Sequence, residues 1–430
     1  MMGMESISDI IESQSVGLKK VMRCFTSSLN RLTHQVQPIV ECLIRGKVRE
    51  TDNHPGVDLI LPDYTYVLEN ADKLRGIVIT HGHEDHTGTL PYLMKDLDRN
   101  VPIYGTKMTL GLIEGKFAEH KIKNAKLVEI KPGDQIKLGC FTAEFFAVNH
   151  SIPGAVGVFF QSPAGNVLHT GDFKLDQTPI DGVTTDFGAL SKFSEIGVDL
   201  MMSDSTNAQN PNFTPSEAEV GKELAKIISQ AKGRVIIASF ASHIHRMQQI
   251  CDAAVANGRK VVVTGRSMIQ NTDIARRLGY LSISDTDLID AYDLKGIPPE
   301  QVVIMCTGSQ GEPLSALARI ANGEHRTIQM DEGDTVIVSA TPVPANEKAV
   351  TRVINGLAKI GADVYDKNRA RVHVSGHAGA EELKLVLSIV QPKASCRCTA
   401  RPRTCARMLV WPRRRACRPT MFHLRKRRKP

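Results

Sequence analysis

Histidines and carboxylates crowd into one short stretch of the chain, residues 80–86, which reads THGHEDH. It follows residues 77–79, a β-branched Ile-Val-Ile run that predicts a buried strand. The stretch should therefore lie on a turn at the carboxyl end of a strand, where α/β folds often place their chemistry. Imidazole suits zinc, and a carboxylate beside it can bind a second ion. The alternative is a solvated loop rich in histidine by accident, but so dense a group of ligand atoms rarely lacks a function.

Three later predicted strands end on groups of the same kind, namely His150, Asp172 and Asp204. Imidazole or acidic groups at four strand ends suggest one shared rim, which a layered fold of sheets flanked by helices could supply. From about Ser216 the pattern changes to longer units of alternating helix and strand. These units indicate a doubly wound module inserted into the first domain.

Several motifs carry a family resemblance. HGHEDH at residues 81–86 resembles the HxHxDH signature of the metallo-β-lactamase superfamily. SFASHIHR at 239–246, GRSM at 265–268, CTGSQGEP at 306–313 and SGHA at 375–378 resemble the β-CASP branch, and specifically bacterial ribonuclease J. The resemblance implies an α/β fold, a metallo-β-lactamase αββα sandwich with an inserted doubly wound β-CASP domain.

The resemblance covers roughly Pro55 to Lys393 and predicts the domain organisation. Residues 1–54 match the family poorly, and the metallo-β-lactamase domain spans 55–215. The β-CASP domain spans 216–369, and the chain returns to the first domain over 370–393. Residues 394–430 form a basic tail that does not match the family.

The resemblance also implies which side chains bind two zinc ions. The ligands of the first ion would be His81, His83, His150 and a bridging Asp172. Those of the second would be Asp85, His86, the same Asp172 and the histidine of an HGE motif. That motif has no counterpart here, because Thr399 stands at about its place and His423 lies in a different sequence context. The second site therefore lacks one expected ligand.

Further residues are candidates for catalysis and RNA binding. Metal ions suit phosphodiester hydrolysis because they activate water and stabilise the attacking and leaving oxygens. His377 is the candidate that protonates the leaving ribose oxygen, with Asp204 orienting it or sharing the proton. The substrate-binding candidates are His373, Val374, Ser375, Gly376, His377, Ser239 and Arg246. Backbone amides near Ser375 could form a phosphate-binding nest. The loop from Ser239 to Arg246 could bind a 5′ phosphate or the RNA backbone, and a capped helix start explains it equally well.

The chain's net charge of +8 is unevenly distributed. Residues 394–430 contain 11 Arg, 2 Lys and no acid, so the remaining chain is mildly acidic at −5. Three hypotheses could account for this tail: a nucleic-acid-binding arm, a zinc knuckle or a shifted reading frame. The cysteines of such a knuckle would be Cys396, Cys398, Cys405 and Cys417. A frameshift is our preferred hypothesis, because a neighbouring frame over residues 398–401 can encode His-Gly-Glu.

The resemblance favours one function over three alternatives. Its similarity to ribonuclease J implies a zinc-dependent ribonuclease with 5′-to-3′ exonuclease and endonuclease activity in RNA maturation, including rRNA processing, and in RNA decay, and we expect the protein to be cytoplasmic. Intact family members would form homodimers or larger oligomers, and no apolar run is long enough to span a membrane. A hydrolase of smaller substrates is disfavoured by the large insertion, and a redox di-iron protein by His83, where such relatives usually carry Glu. An RNA-binding remnant, impaired by the missing ligand, is the third alternative.

Overall fold

The computed structural model describes residues 48–49, 59–312, 314–342 and 346–397, with the first two strands as backbone only. In chain order the strands are β1 Val48–Arg49, β2 Leu59–Ile60, β3 Ile77–Val78, β4 Ile103–Gly105, β5 Leu127–Glu129, β6 Gln135–Leu138, β7 Phe141–Ala147, β8 Val156–Ser162, β9 Gly165–His169, β10 Leu200–Ser203, β11 Val235–Ala238, β12 Lys260–Thr264, β13 Leu288–Ile289, β14 Val302–Cys306, β15 Thr335–Val338, β16 Asp363–Tyr365 and β17 Ala394–Arg397.

Helices connect most of these strands. In chain order they are α1 Thr65–Glu69, α2 Glu84–Thr87, α3 Leu90–Asp96, α4 Lys107–Glu119, α5 Phe187–Ile196, α6 Glu217–Gln230, α7 Ile244–Ala256, α8 Arg266–Leu278, α9 Ala316–Ala321, α10 Glu347–Lys359 and α11 Ala380–Val390. Short 3₁₀ turns add Ala71–Lys73, Ala291–Leu294 and Pro299–Gln301. None of the helices in the described ranges is long and apolar enough to cross a membrane.

Four layers make up the first domain. One sheet has the order β3-β4-β5 and the facing sheet has the order β17-β10-β9-β8-β7-β6. Neighbouring residues of β7 point to opposite sides, as the period of a strand requires. Phe145 packs between the two sheets, while Phe146 packs against α5 and α11 on the outer face. Helices α3 and α4 cover the smaller sheet, so the predicted αββα sandwich is confirmed.

The second domain is a parallel sheet with helices on both faces. Its strand order is β13-β12-β14-β11-β15-β16, and every pairing is parallel. In β11, Ile237 faces a core formed with α6, α7 and α8, and Ile236 faces a core formed with α9 and α10. A strand buried on both faces reads as a continuous apolar run, which explains the sequence VIIA. The predicted doubly wound module is confirmed.

Beyond the second domain, the chain rejoins the larger sheet. Strand β17 pairs in parallel with β10, with Ala394 opposite Leu200. The sequence predicts that the unmatched tail starts at Ala394, so the first four residues of that tail form β17, and the boundary stays a prediction. Residues 398–430, including Thr399, His423 and three of the four tail cysteines, lie outside the described residues, as do residues 1–47.

Candidate metal centre

One rim of the first domain gathers side chains from four separate segments. Residues 81 and 83 follow β3, and α2 begins one residue later and carries Asp85 and His86. His150 follows β7, Asp172 follows β9 and Asp204 follows β10. A hydrogen bond from Val156 N to Thr80 O, 3.0 Å, ties the smaller sheet to the larger one here. The rim predicted from the four strand ends exists.

Three imidazoles form the first group of ligand atoms. The ring centre of His81 lies 4.8 Å from that of His83 and 4.7 Å from that of His150. The nearest nitrogens of the other two rings, His83 Nδ1 and His150 Nε2, are 3.0 Å apart. Two nitrogens on one tetrahedral zinc, each at about 2.0–2.1 Å, would be roughly 3.3 Å apart. The observed spacing is therefore close to that of ligands sharing one ion.

Polar contacts of the other ring nitrogen indicate which nitrogen of His150 and of His81 faces the centre. His150 Nδ1 donates to Gly376 O at 2.7 Å, because a carbonyl can only accept, so Nε2 keeps its lone pair. His81 Nδ1 lies 3.1 Å from Thr80 Oγ1, and its buried Nε2 has no hydrogen-bond partner in the described chain. Leaving such an atom buried and unpaired is costly. These converging lone pairs fit a divalent cation.

A carboxylate joins the first group to a second. Asp172 Oδ2 lies 3.2 Å from His86 Nε2 and 3.9 Å from His81 Nε2, with the Asp172 side chain 4% exposed. The ligand atoms of His81, His86 and Asp172 all lie within 4.8 Å of one another, as do those of the first group. Asp85 Oδ2 is 3.6 Å from His86 Nε2, but its side chain is 59% exposed. Asp172 is thus central, and Asp85 lies at the open side.

Desolvation sets the electrostatics of the imidazoles. Burial, reinforced by the neighbouring imidazoles, lowers the pKa of His81 and His83 well below the usual value for histidine. Burial and then His377 lower the pKa of His150 to about 4. At neutral pH the three rings are neutral, which is the form that binds metal.

A pair formed by a histidine and a carboxylate lies beside the candidate ligands. His377 Nδ1 is 2.8 Å from Asp204 Oδ2, and 4.0 Å from Asp172 Oδ2. Burial alone would raise the pKa of Asp204. The neighbouring His377 and the hydrogen bonds that the Asp204 carboxylate accepts outweigh burial, so the pKa of Asp204 is lowered. Thr206 N donates one of these bonds to Asp204 Oδ1 at 2.9 Å. The carboxylate therefore stays ionised and orients His377 through Nδ1.

The predicted substrate loop, His373 to His377, reaches the rim beside His150. A Cβ on Gly376 would lie 3.0 Å from His150 Cε1, so only glycine allows this close approach without displacing the ring. Ser375 Oγ accepts from His377 N at 3.0 Å. Val374 is buried in the core of the second domain, so only its main chain can face a ligand.

Two predicted substrate contacts lie elsewhere than expected. Ser239 is 2% exposed and Arg246 is fully buried, with its guanidinium on Glu217 rather than toward solvent. His243 caps α7, accepting from Arg246 N, so the capped helix start is observed. Sequence reasoning did not single out Glu217, although its position after the Ser216 cap offered one signal.

Glu382 is a second residue that sequence reasoning did not single out. Its buried carboxylate accepts from Leu175 N and Thr214 N, both at 2.7 Å, and from Gly379 N at 2.6 Å. It thereby holds the chain just after His377. No sequence motif distinguishes it from other acids in the first turn of a helix, where they are common.

Family models match the two domains in turn. Residues 54–235 match the model of the beta-lactamase superfamily domain, and residues 232–357 match that of the ribonuclease J beta-CASP domain. A solved structure of a protein of unknown function from Enterococcus faecalis shares the fold, with a TM-score of 0.57 at 17% identity over 76% of each chain. Fold and rim define a metallo-β-lactamase protein with a β-CASP insertion.

Curated relatives narrow the assignment further. The chain is 48% identical over 355 residues to ribonuclease J of Mycolicibacterium smegmatis, covering 83% of this chain and 63% of that protein. It is 46% identical to ribonuclease J of Thermus thermophilus, covering 79% and 60%. Ribonuclease J2 of Bacillus subtilis is 42% identical, also with 79% and 60% covered. The chain belongs to the ribonuclease J family, and it spans about three fifths of the length of these relatives.

Proposed function

We propose that this protein is a metal-dependent ribonuclease that hydrolyses RNA phosphodiester bonds with two zinc ions, as a 5′-to-3′ exonuclease and an endonuclease in RNA maturation and decay. One observation carries the proposal: overlapping groups of ligand atoms, each within 4.8 Å, lie directly beside the His377–Asp204 pair. Metal ions bound there would activate water and neutralise charge on a phosphate. Membership in the ribonuclease J family points to RNA as the substrate.

The roles of the protein groups follow from their hydrogen bonds. His81, His83 and His150 would hold the first ion, and Asp172, His86 and Asp85 the second, with Asp172 shared. Asp204 holds His377 through Nδ1, which leaves Nε2 to donate a proton to the leaving ribose oxygen.

The proposed location is the cytoplasm. Cys140, Cys251 and Cys306 are free thiols in the described chain, which fits a reducing compartment. We further propose that the protein forms homodimers or larger oligomers, as the resemblance implies for intact family members, and sedimentation velocity of the purified protein tests this.

Metal content measured together with RNA cleavage tests the function. The purified protein should contain about two zinc ions per chain and release nucleotides from a 5′-monophosphorylated RNA. The variant His150→Ala should lose both properties. His120→Ala is the matched control, because His120 packs against Tyr92 and belongs to none of the ligand groups of the described residues, so its loss should change neither. One zinc or none, with RNA bound but intact, would instead support an RNA-binding remnant.

A further inference from the structure

A buried ion pair lies at the junction of the two domains. Arg246 on α7 is fully buried, and Glu217, at the start of α6, is 6% exposed. Arg246 Nε donates to Glu217 Oε1 and Nη2 donates to Oε2, both at 2.7 Å. This two-pronged geometry fixes the plane of the guanidinium.

The remaining side of the guanidinium faces the substrate loop. Arg246 Nη1 lies 2.9 Å from Ser339 O, 3.1 Å from Ser339 Oγ and 2.9 Å from His373 Nδ1. A guanidinium has donors and no acceptor, so His373 Nδ1 must be the acceptor. The proton of the neutral ring is then on Nε2, the nitrogen that points away from Arg246.

The same loop is fixed at points on either side of His373. Ser339 Oγ donates to Val372 O at 2.6 Å, and His150 Nδ1 donates to Gly376 O at 2.7 Å. Loop 372–377 is therefore held from the second domain at one end and from the metal centre at the other. Within the described chain, the ring of His373 makes one hydrogen bond, the one with Arg246, so the orientation of the ring depends on that contact.

We propose that Arg246, held by Glu217, is a positioning residue that fixes His373 with its proton on Nε2, presenting a donor to an RNA phosphate entering the metal centre. This rests on the proposed function, since it names a contact of the same site. It gives Arg246, a substrate-binding candidate in the sequence, an indirect role through His373 rather than a direct contact with RNA. Burial and the positive charge of Arg246 lower the pKa of His373 well below the usual value, which keeps the ring neutral and the tautomer single.

Nitrogen-15 NMR of histidine-labelled protein tests the tautomer without any activity measurement. The His373 signals, assigned by their loss in His373→Gln, should show an unprotonated Nδ1 and a protonated Nε2. In the double variant Glu217→Gln/Arg246→Gln, which removes both charges and so leaves neither buried alone, the ring should become a mixture of tautomers. A protonated Nδ1 in the wild type would overturn the proposal.

Kinetics on 5′-monophosphorylated RNA test the consequence. The double variant should raise KM about 10- to 100-fold, the effect of one hydrogen bond to a charged group, with a smaller change in kcat. In a His373→Gln background the same substitutions should change KM less than twofold, because they act through His373. Additive effects in the two backgrounds would contradict the proposal.

The control removes a different buried arginine of the same domain. Arg259 is 5% exposed and donates to the main-chain oxygens of Gly233 and Ala231. Arg259→Gln should leave KM and the His373 tautomer unchanged. If the wild type fails to cleave RNA, the proposed function fails, but the NMR result still decides whether Arg246 sets the tautomer.

Discussion

The metal centre and the Arg246 network, which consists of Arg246, Glu217, His243, Ser339 and His373, both bury histidines. The two regions differ in the partners that they offer to the ring nitrogens. In the network, His243 Nδ1 lies 3.4 Å from Arg246 N, its Nε2 lies 3.5 Å from Glu217 Oε2, and His373 Nδ1 accepts from Arg246. At the rim, the buried Nε2 of His81 has no hydrogen-bond partner in the described chain, and it faces two other imidazoles.

The difference shows what distinguishes a metal site from a structural polar core. Burial lowers the pKa in both regions, to about 4 for His150 and for His243 alike. A depressed pKa therefore does not identify the site. The network supplies its own cation, the guanidinium, whereas the rim brings lone pairs together for a cation from outside.

Removing the shared carboxylate should have the largest effect. Asp172 belongs to two of the ligand groups, so Asp172→Ala should remove bound metal and lower kcat/KM by about 10⁴-fold, because metal ions supply several kcal/mol of transition-state stabilisation. Metal analysis and RNA cleavage measure both. Asp85→Asn, at the exposed edge, should retain the first ion. Equal metal loss in both variants would contradict the central role of Asp172.

The proton donor should come next. His377→Gln should lower kcat by about 10³-fold, the usual contribution of a general acid, and should leave zinc content unchanged. Loss of zinc in this variant would instead make His377 a ligand, as its 4.0 Å distance from Asp172 Oδ2 allows.

Breaking the network should cost stability rather than metal. Glu217→Ala leaves a buried, uncompensated Arg246 and should reduce the free energy of unfolding by about 3–5 kcal/mol. Urea denaturation measures this. Lys384→Ala breaks the exposed pair with Glu381 and should cost less than about 0.5 kcal/mol. Similar losses in the two variants would mean that burial adds nothing to the first pair.

Acid should weaken the network by a smaller amount. The pKa of His243 is about 4 in the folded protein, lowered first by burial and then by Arg246, against 6.5 ordinarily. The unfolded chain therefore binds the proton first, and the stability present above pH 6.5 is lost as the pH falls toward 4. His243→Asn keeps a helix-capping side chain and should reduce this loss by roughly 3 kcal/mol. Urea midpoints at pH 7 and pH 4 decide the matter, and identical losses in the two proteins would disprove it.

Much of the site could be predicted because its signals are local. A β-branched run followed by HGHEDH places four candidate ligands within six residues, and such a cluster at a strand end has few other uses. His150, Asp172 and Asp204 were found because each ends a predicted strand, and strand ends meet along one edge. SGHA identified the loop of His377 through the family resemblance.

Arg246 shows where local signals fail. The sequence places it near the start of a helix and gives it a charge that suits phosphate, so RNA binding and a structural role at the helix start were equally supported. Its partner Glu217 is 29 residues away, and Ser339 and His373 are 93 and 127 residues away. A charge that is paired through long-range packing looks the same in sequence as one that is free for RNA.

The sequence by itself determined the two-domain α/β fold, the family and the chemical types at the rim, because strand periodicity and short motifs are properties of neighbouring residues. Only the tertiary structure decided which nitrogens converge, that Asp85 lies at the exposed side of the rim, and that Arg246 points inward to His373. Those outcomes depend on which distant segments pack together and exclude water, and burial of that kind is settled by the whole fold.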